Sequence, residues 1–306
     1  MKKNIEVSVG YHLPHLPNNS KSHRIVKRLL GSNSLSDGKI GHFWPDHFYK
    51  LDKSSLYNAL PNDIQIKVLE ILANESVIES FAIEQSGMAF AAKMNLLSES
   101  VEERIMYSVF SSQEARHYYQ LSQFCGSSDV SVAVQHPFFK LLIHIIESGT
   151  RLALQCIVQI ILEGWGMFHY KGLADSCLDL NLKKILMDIL ADEADHHGSG
   201  VLFFDSNLLS SHETKFIYDA VKELIYLVRI GPQSILATLE SQCDGIAKNQ
   251  RIKFLNDVEA FATTQKKLNI LKHLVTTSGF FPLKEELEKN DFFVPLSVYQ
   301  MSKLKI

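Results

Sequence analysis

Twice in this chain a glutamate is followed 30 residues later by Glu-x-x-His. Glu84 precedes Glu114 and His117 of SSQEARHYY, and Glu163 precedes Glu193 and His196 of ILADEADHHGSG. Helical residues three apart share a face, so each motif can aim a carboxylate and an imidazole at one point. With 19 glutamates and 13 histidines in 306 residues, chance alone supplies about one Glu-x-x-His. The repeated offset is what makes the pair specific. Each acid also interrupts an apolar stripe: Val77, Phe81, Met88 and Ala91 flank Glu84, Tyr107, Phe110, Tyr118 and Leu121 flank Glu114, and Leu186, Ile189 and Gly200 flank Glu193. A carboxylate turned toward a core is costly unless it is paired or binds a metal. Four carboxylates and two imidazoles in this order therefore predict a two-metal site.

The charge distribution agrees. Residues 61–212 hold nine Lys/Arg against nineteen Asp/Glu, and cations at the site would offset part of that surplus. Residues 1–60 hold nine Lys/Arg against four Asp/Glu, which is too sparse for a nucleic-acid partner and reads as a solvated arm. Four cysteines without a CxxC pair indicate free thiols in a reducing, cytoplasmic setting. The start MKKNIEVSVG lacks an apolar core for secretion, and no run of eighteen apolar residues occurs, so no membrane association is expected.

Along the chain, helical periodicity prevails and the expected fold class is all-α. An irregular arm over 1–60 is broken by Pro14, Pro17 and Pro45, with helical turns near Arg24 to Leu30 and His47 to Leu51. Its five histidines match no metal spacing. Pro61 and Asp63 open a helix running to about Asn95, with an irregularity near Asn74 to Ser76. A second helix runs from Ser98 to Phe124, followed by a loop from Gly126 to His136. A third runs from Pro137 to Gly172, interrupted at Ser148 and Gly149, and a fourth from Leu180 to Leu209. Helices near 213–230, 233–249 and 252–277 then form a C-terminal layer over 213–306, suited to packing, homodimer formation or substrate gating.

This organisation resembles the ferritin-like di-iron carboxylate superfamily, whose bundle core takes one Glu from each of two helices and Glu-x-x-His from each of the other two. The resemblance covers residues 61–212 and rests on Glu84, EARH at 114–117, Glu163 and DEADH at 192–196. It implies a ferritin-like four-helix bundle holding two iron ions, with manganese admitted by the same donors. Glu84, Glu114 and His117 would serve one ion and Glu163, Glu193 and His196 the other, with Glu114 and Glu193 as bridges. The residues before the motif glutamates, Gln113 and Asp192, are placed to support the histidines, Asp192 toward His117.

Few nitrogen donors leave positions open for dioxygen. The expected activity is that of a di-iron oxygenase or oxidase that uses dioxygen on a small organic substrate, with electrons from a separate donor or from the substrate. By organisation the chain looks like the arylamine N-oxygenases of that superfamily, but they typically carry a third histidine one turn before the second motif glutamate. Here that position is Ile189, which leaves a six-ligand site closer to the hydroxylases. An iron-handling ferroxidase or storage protein is the alternative. Gly164 and Gly166, unfavourable inside a helix, either make room beside Glu163 or allow close helix packing.

Overall fold

The computed structural model describes residues 9–10, 20–30, 42–125, 135–243 and 245–304, and every regular element among them is helical. The first elements among the described residues are α1 (Lys21–Leu30), two short 3-10 turns (Asp46–Tyr49 and Leu51–Lys53) and α2 (Ser55–Asn58). Next comes α3 (Asn62–Leu97), which runs without a break through the expected irregularity at Asn74 to Ser76. The hydroxyls of Ser80 and Ser86 donate to carbonyls one turn back, at 3.0 and 2.8 Å, so neither disturbs the ladder.

The second predicted helix starts later than Ser98. Ser98 Oγ donates to the Met94 carbonyl and closes α3, whereas Ser100 caps α4 (Val101–Leu121) by accepting from the Glu103 amide at 3.1 Å. Of the expected crossover loop, residues 126–134 lie outside the described ones. Pro137 opens α5 (Pro137–Ser148), and the interruption expected at Ser148 and Gly149 is present: Gly149 is extended, with ψ 140°. The chain then re-enters a helix as α6 (Arg151–Ser176), four residues beyond the expected end.

The first half of α6 is unusual. From Gln155 to Leu162 it is a π-helix, a wider coil with i→i+5 bonds, before α-geometry resumes at Glu163. Asp179 caps α7 (Leu180–Phe203), accepting from the Asn181 and Leu182 amides at 2.9 and 2.8 Å. This helix ends six residues before Leu209.

Behind it come α8 (Ser211–Arg229), started by a Ser210–Glu213 capping box, α9 (Gln233–Ser241), α10 (Lys248–Asp257), α11 (Ala260–Thr277), α12 (Phe281–Lys289) and α13 (Val298–Met301). The helix expected over 252–277 is thus two, separated at Glu259, whose φ of 53° lies in the left-handed region. Lys50 and Lys53 hold the Glu259 carboxylate at 2.7 and 3.1 Å there. Their hydrogen bonds pull its pKa down to about 2.

The contacts sort the chain into two compact units, one from Met1–Ile40 and Ser76–Arg151, the other from Gly41–Glu75 and Leu152–Ile306. In the first, Phe81 stacks on Tyr118 with ring centres 4.2 Å apart, and Phe90, Tyr107 and Phe110 meet edge to face. Lys93 closes the end of α5 by donating to the carbonyls of Ile146 and Glu147 at 2.7 and 2.9 Å.

In the second unit a three-residue link makes α6 and α7 neighbours, and α8 and α11 pack on the π-helical stretch. Residues 42–58 clamp this unit through Trp44 Nε1, which donates to the Leu173 carbonyl at 2.8 Å. Among the described residues only α6 is long and apolar enough to cross a membrane, and just over half of its most apolar stretch is buried in the protein, as in a core helix.

Candidate metal centre

Each unit carries one of the two predicted triads. In the first, α3 supplies Glu84 and α4 supplies Glu114 and His117, three helical positions apart. All three are buried, with exposures of 0, 3 and 0 %. One ligand atom from each lies within 4.8 Å of the others. His117 Nδ1 is 3.0 Å from Glu84 Oε2 and 4.0 Å from Glu114 Oε2. Burying two carboxylates around one imidazole leaves a charge surplus that a cation would neutralise.

Gly87, one turn beyond Glu84, makes this arrangement possible. A Cβ at residue 87 would fall on the Glu114 carboxylate, 2.6 Å from its carboxyl carbon. The carboxylate thus occupies the space of the missing side chain. Sequence reasoning passed over this residue, although a glycine inside a helix one turn from a candidate ligand was the available signal. Tyr118 follows His117 and stacks on Phe81; burial pushes its hydroxyl up to about 12, so it is held protonated.

In the second unit, Glu163 stands where the π-helix reverts to α, and α7 supplies Glu193 and His196. Their ligand atoms again lie within 4.8 Å of one another, with His196 Nδ1 3.4 Å from Glu193 Oε2. Glu193 and His196 are 2 and 1 % exposed, whereas Glu163 is only half-buried. The more accessible side of this triad is therefore Glu163. Buried Glu/His groups of this composition can hold a metal ion, since carboxylate oxygen and imidazole nitrogen are ordinary ligands of divalent cations.

Compared with protein-family models, curated proteins and solved structures, the chain matches none. The site is accordingly read from its own residues.

A part-buried chain of hydrogen bonds ties the π-helix to the backbone of α7 at His196. Gln159 Nε2 donates to Ser199 Oγ at 2.7 Å, and Ser199 Oγ donates to the His196 carbonyl at 2.8 Å. Gly200 lets α7 approach, because a Cβ there would sit 2.8 Å from Gln159 Cγ. Next to the ligand, His197 Nδ1 lies 3.0 Å from the Ile160 carbonyl of the π-helix. The two glycines near Glu163 have separate roles. Gly164 serves close packing, since a Cβ would meet His197 Nδ1 at 2.9 Å and Leu274, while Gly166 faces open space with nothing within 4 Å. Gln113 and Asp192 are half-buried, each next to its motif glutamate. Ile189, at the position of a third histidine, is fully buried.

Proposed function

We propose that the two triads act together as a ferritin-like di-iron carboxylate centre, and that the chain is an oxidoreductase using dioxygen to oxidise a small organic substrate. The observation that carries this reading is the equivalence of the half-sites. Two Glu/Glu/His sets, buried but for half-buried Glu163 and generated by the same 30-residue offset, each gather three donors within 4.8 Å. Glu84, Glu114 and His117 would hold one iron and Glu163, Glu193 and His196 the other, and half-buried Gln113 and Asp192, each next to a motif glutamate, would support the ligands. Iron bound there supplies the redox chemistry that dioxygen reduction needs; manganese is admitted by the same oxygen and nitrogen donors.

The chain's own residues do the rest. The first triad is shielded from water, its ligands being 0, 3 and 0 % exposed, on the two helices that also carry the aromatic residues Phe81, Tyr107, Phe110 and Tyr118. Half-buried Glu163 and the open space at Gly166 mark an approach for a small reactant. Oxidation of a substrate by dioxygen requires electrons from a separate donor or from the substrate itself. A six-ligand set with Ile189 in place of a seventh donor favours hydroxylase-like or oxidase chemistry over N-oxygenation.

Anaerobic reconstitution with Fe(II), followed by mixing with dissolved dioxygen, tests the proposal. Two irons per chain and rapid oxygen consumption with new near-ultraviolet absorption are expected. A fully loaded, reduced protein that leaves dioxygen untouched defeats it. Oxygen uptake tied only to iron oxidation, with no turnover across a panel of aliphatic and aromatic compounds, would favour iron handling.

A further inference from the structure

The uncovered helix α1 is independent of the metal centre. Placed at 100° per residue, Ile25, Leu29, Val26 and Leu30 lie in one sector that they share only with Ser22, and Lys21, Arg24, Lys27 and Arg28 fill the opposite one. No acid interrupts the basic side. In a helix folded onto a body the aliphatic sector would be covered, yet here Ile25, Val26 and Leu29 are 50, 42 and 72 % exposed. The four basic side chains are exposed as well. Among the described residues, no ion pair engages them.

We infer that α1 is an interfacial helix that attaches the chain reversibly to anionic lipid surfaces. A helix lying flat at such a surface places its aliphatic sector at the acyl boundary and its Lys/Arg groups at the level of the anionic headgroups, so both faces are satisfied at once. A nucleic acid fits less well: phosphates would take the basic groups and leave Ile25, Val26 and Leu29 in water. The basic sector is also complementary in sign to the cytoplasmic leaflet, whose anionic lipids draw in clustered Lys and Arg. Ten residues make a helix about 15 Å long, and this, with a single patch, gives a weak and salt-sensitive attachment rather than a permanent anchor.

The test is co-sedimentation of the full chain with phosphatidylcholine vesicles, with and without about 30 % phosphatidylserine. The wild type should partition onto the anionic vesicles alone and be released by raising salt from about 0.1 to about 0.5 M. Ile25→Asp with Leu29→Asp, and separately Lys27→Gln with Arg28→Gln, should each lower the partition coefficient at least about tenfold. Because the altered residues are exposed, circular dichroism and iron content should stay at wild-type values, and a change in either would mark misfolding. In that case Ile25→Ser with Leu29→Ser, the milder pair, decides. Equal binding to neutral vesicles, or no binding to anionic ones, overturns the inference. Full retention by the Asp pair also does, since charge alone would then account for binding. Capture by duplex DNA or polyglutamate while vesicles stay bare would assign α1 to another macromolecule.

Discussion

Replacing Gly87 by alanine separates the metal site from the fold. Within α3 the substitution favours the helix by about 0.8–1 kcal/mol, because alanine loses less backbone freedom than glycine. Against this, the new methyl falls on the Glu114 carboxylate, 2.6 Å from its carbon. Ordinary contact begins near 3.4 Å, so the carboxylate must retreat by about 1 Å, and overpacking of this kind costs about 1–3 kcal/mol. The two effects nearly cancel in the metal-free protein, leaving a net loss of about 0–2 kcal/mol. They do not cancel for metal binding. Coordination bonds are about 2 Å long, so a ligand displaced by 1 Å should lower affinity about 10- to 100-fold, equivalent to about 1.4–2.8 kcal/mol. Urea unfolding of the metal-free variant and anaerobic calorimetric titration with Mn(II) or Fe(II) measure the two quantities separately. If Gly87→Ala bound metal with wild-type affinity while its carboxylate was crowded, Glu114 would not be a ligand.

Gly164→Ala should destabilise by about 1–3 kcal/mol, because His197 and Leu274 occupy the space a Cβ needs, whereas Gly166→Ala should be neutral or stabilise by up to about 1 kcal/mol; denaturant midpoints of the pair reverse this order if the packing is misread. His117→Ala and His196→Ala should each reduce binding from two metals to one per chain, measured by elemental analysis after gel filtration, and wild-type stoichiometry in both would break the assignment. Saturating metal at about 100 times the dissociation constant should stabilise the wild type by about 2.7 kcal/mol, visible as a raised Tm that a chelator abolishes. Burial pushes the thiols of Cys125 and Cys156 up to about 12 and that of Cys177 to about 11, so at pH 8 they stay protonated and inert. A thiol reagent should therefore label half-buried Cys243 in the native protein and all four cysteines in urea; fast labelling of a second native cysteine counts against this burial.

Local signals in the sequence carried much of the fold. Pro137 opens α5, Gly149 breaks the chain where predicted, and helical periodicity gave the all-α class, because each of these depends on neighbours within one turn. What the sequence hid was long-range. Glutamate is no turn residue, and the left-handed break at Glu259 is held by Lys50 and Lys53, some two hundred positions upstream. The same holds at the site. Spacing and apolar context named the six candidate ligands, since three-residue and thirty-residue offsets are visible in a string. Gly87 was missed because the group it accommodates, Glu114, sits on another helix. Gln159 was missed because a single amide in an apolar run shows no partner until Ser199 is brought beside it.

The wider coil between Gln155 and Leu162 sets the phase of everything downstream on α6. Each residue advances an α-helix by about 100°, so the stretch acts as a vernier between the apolar segment seated against α8 and α11 and the carboxylate of Glu163. Deleting one residue here, at Ile157 for instance, would let the coil tighten into a regular helix without uncovering its apolar side chains. Glu163 would then keep nearly its present heading, because one residue fewer in the tighter coil covers almost the same rotation. Forcing the coil into a regular helix at its full length would instead turn Glu163 away, so the spare residue is what keeps the second triad assembled.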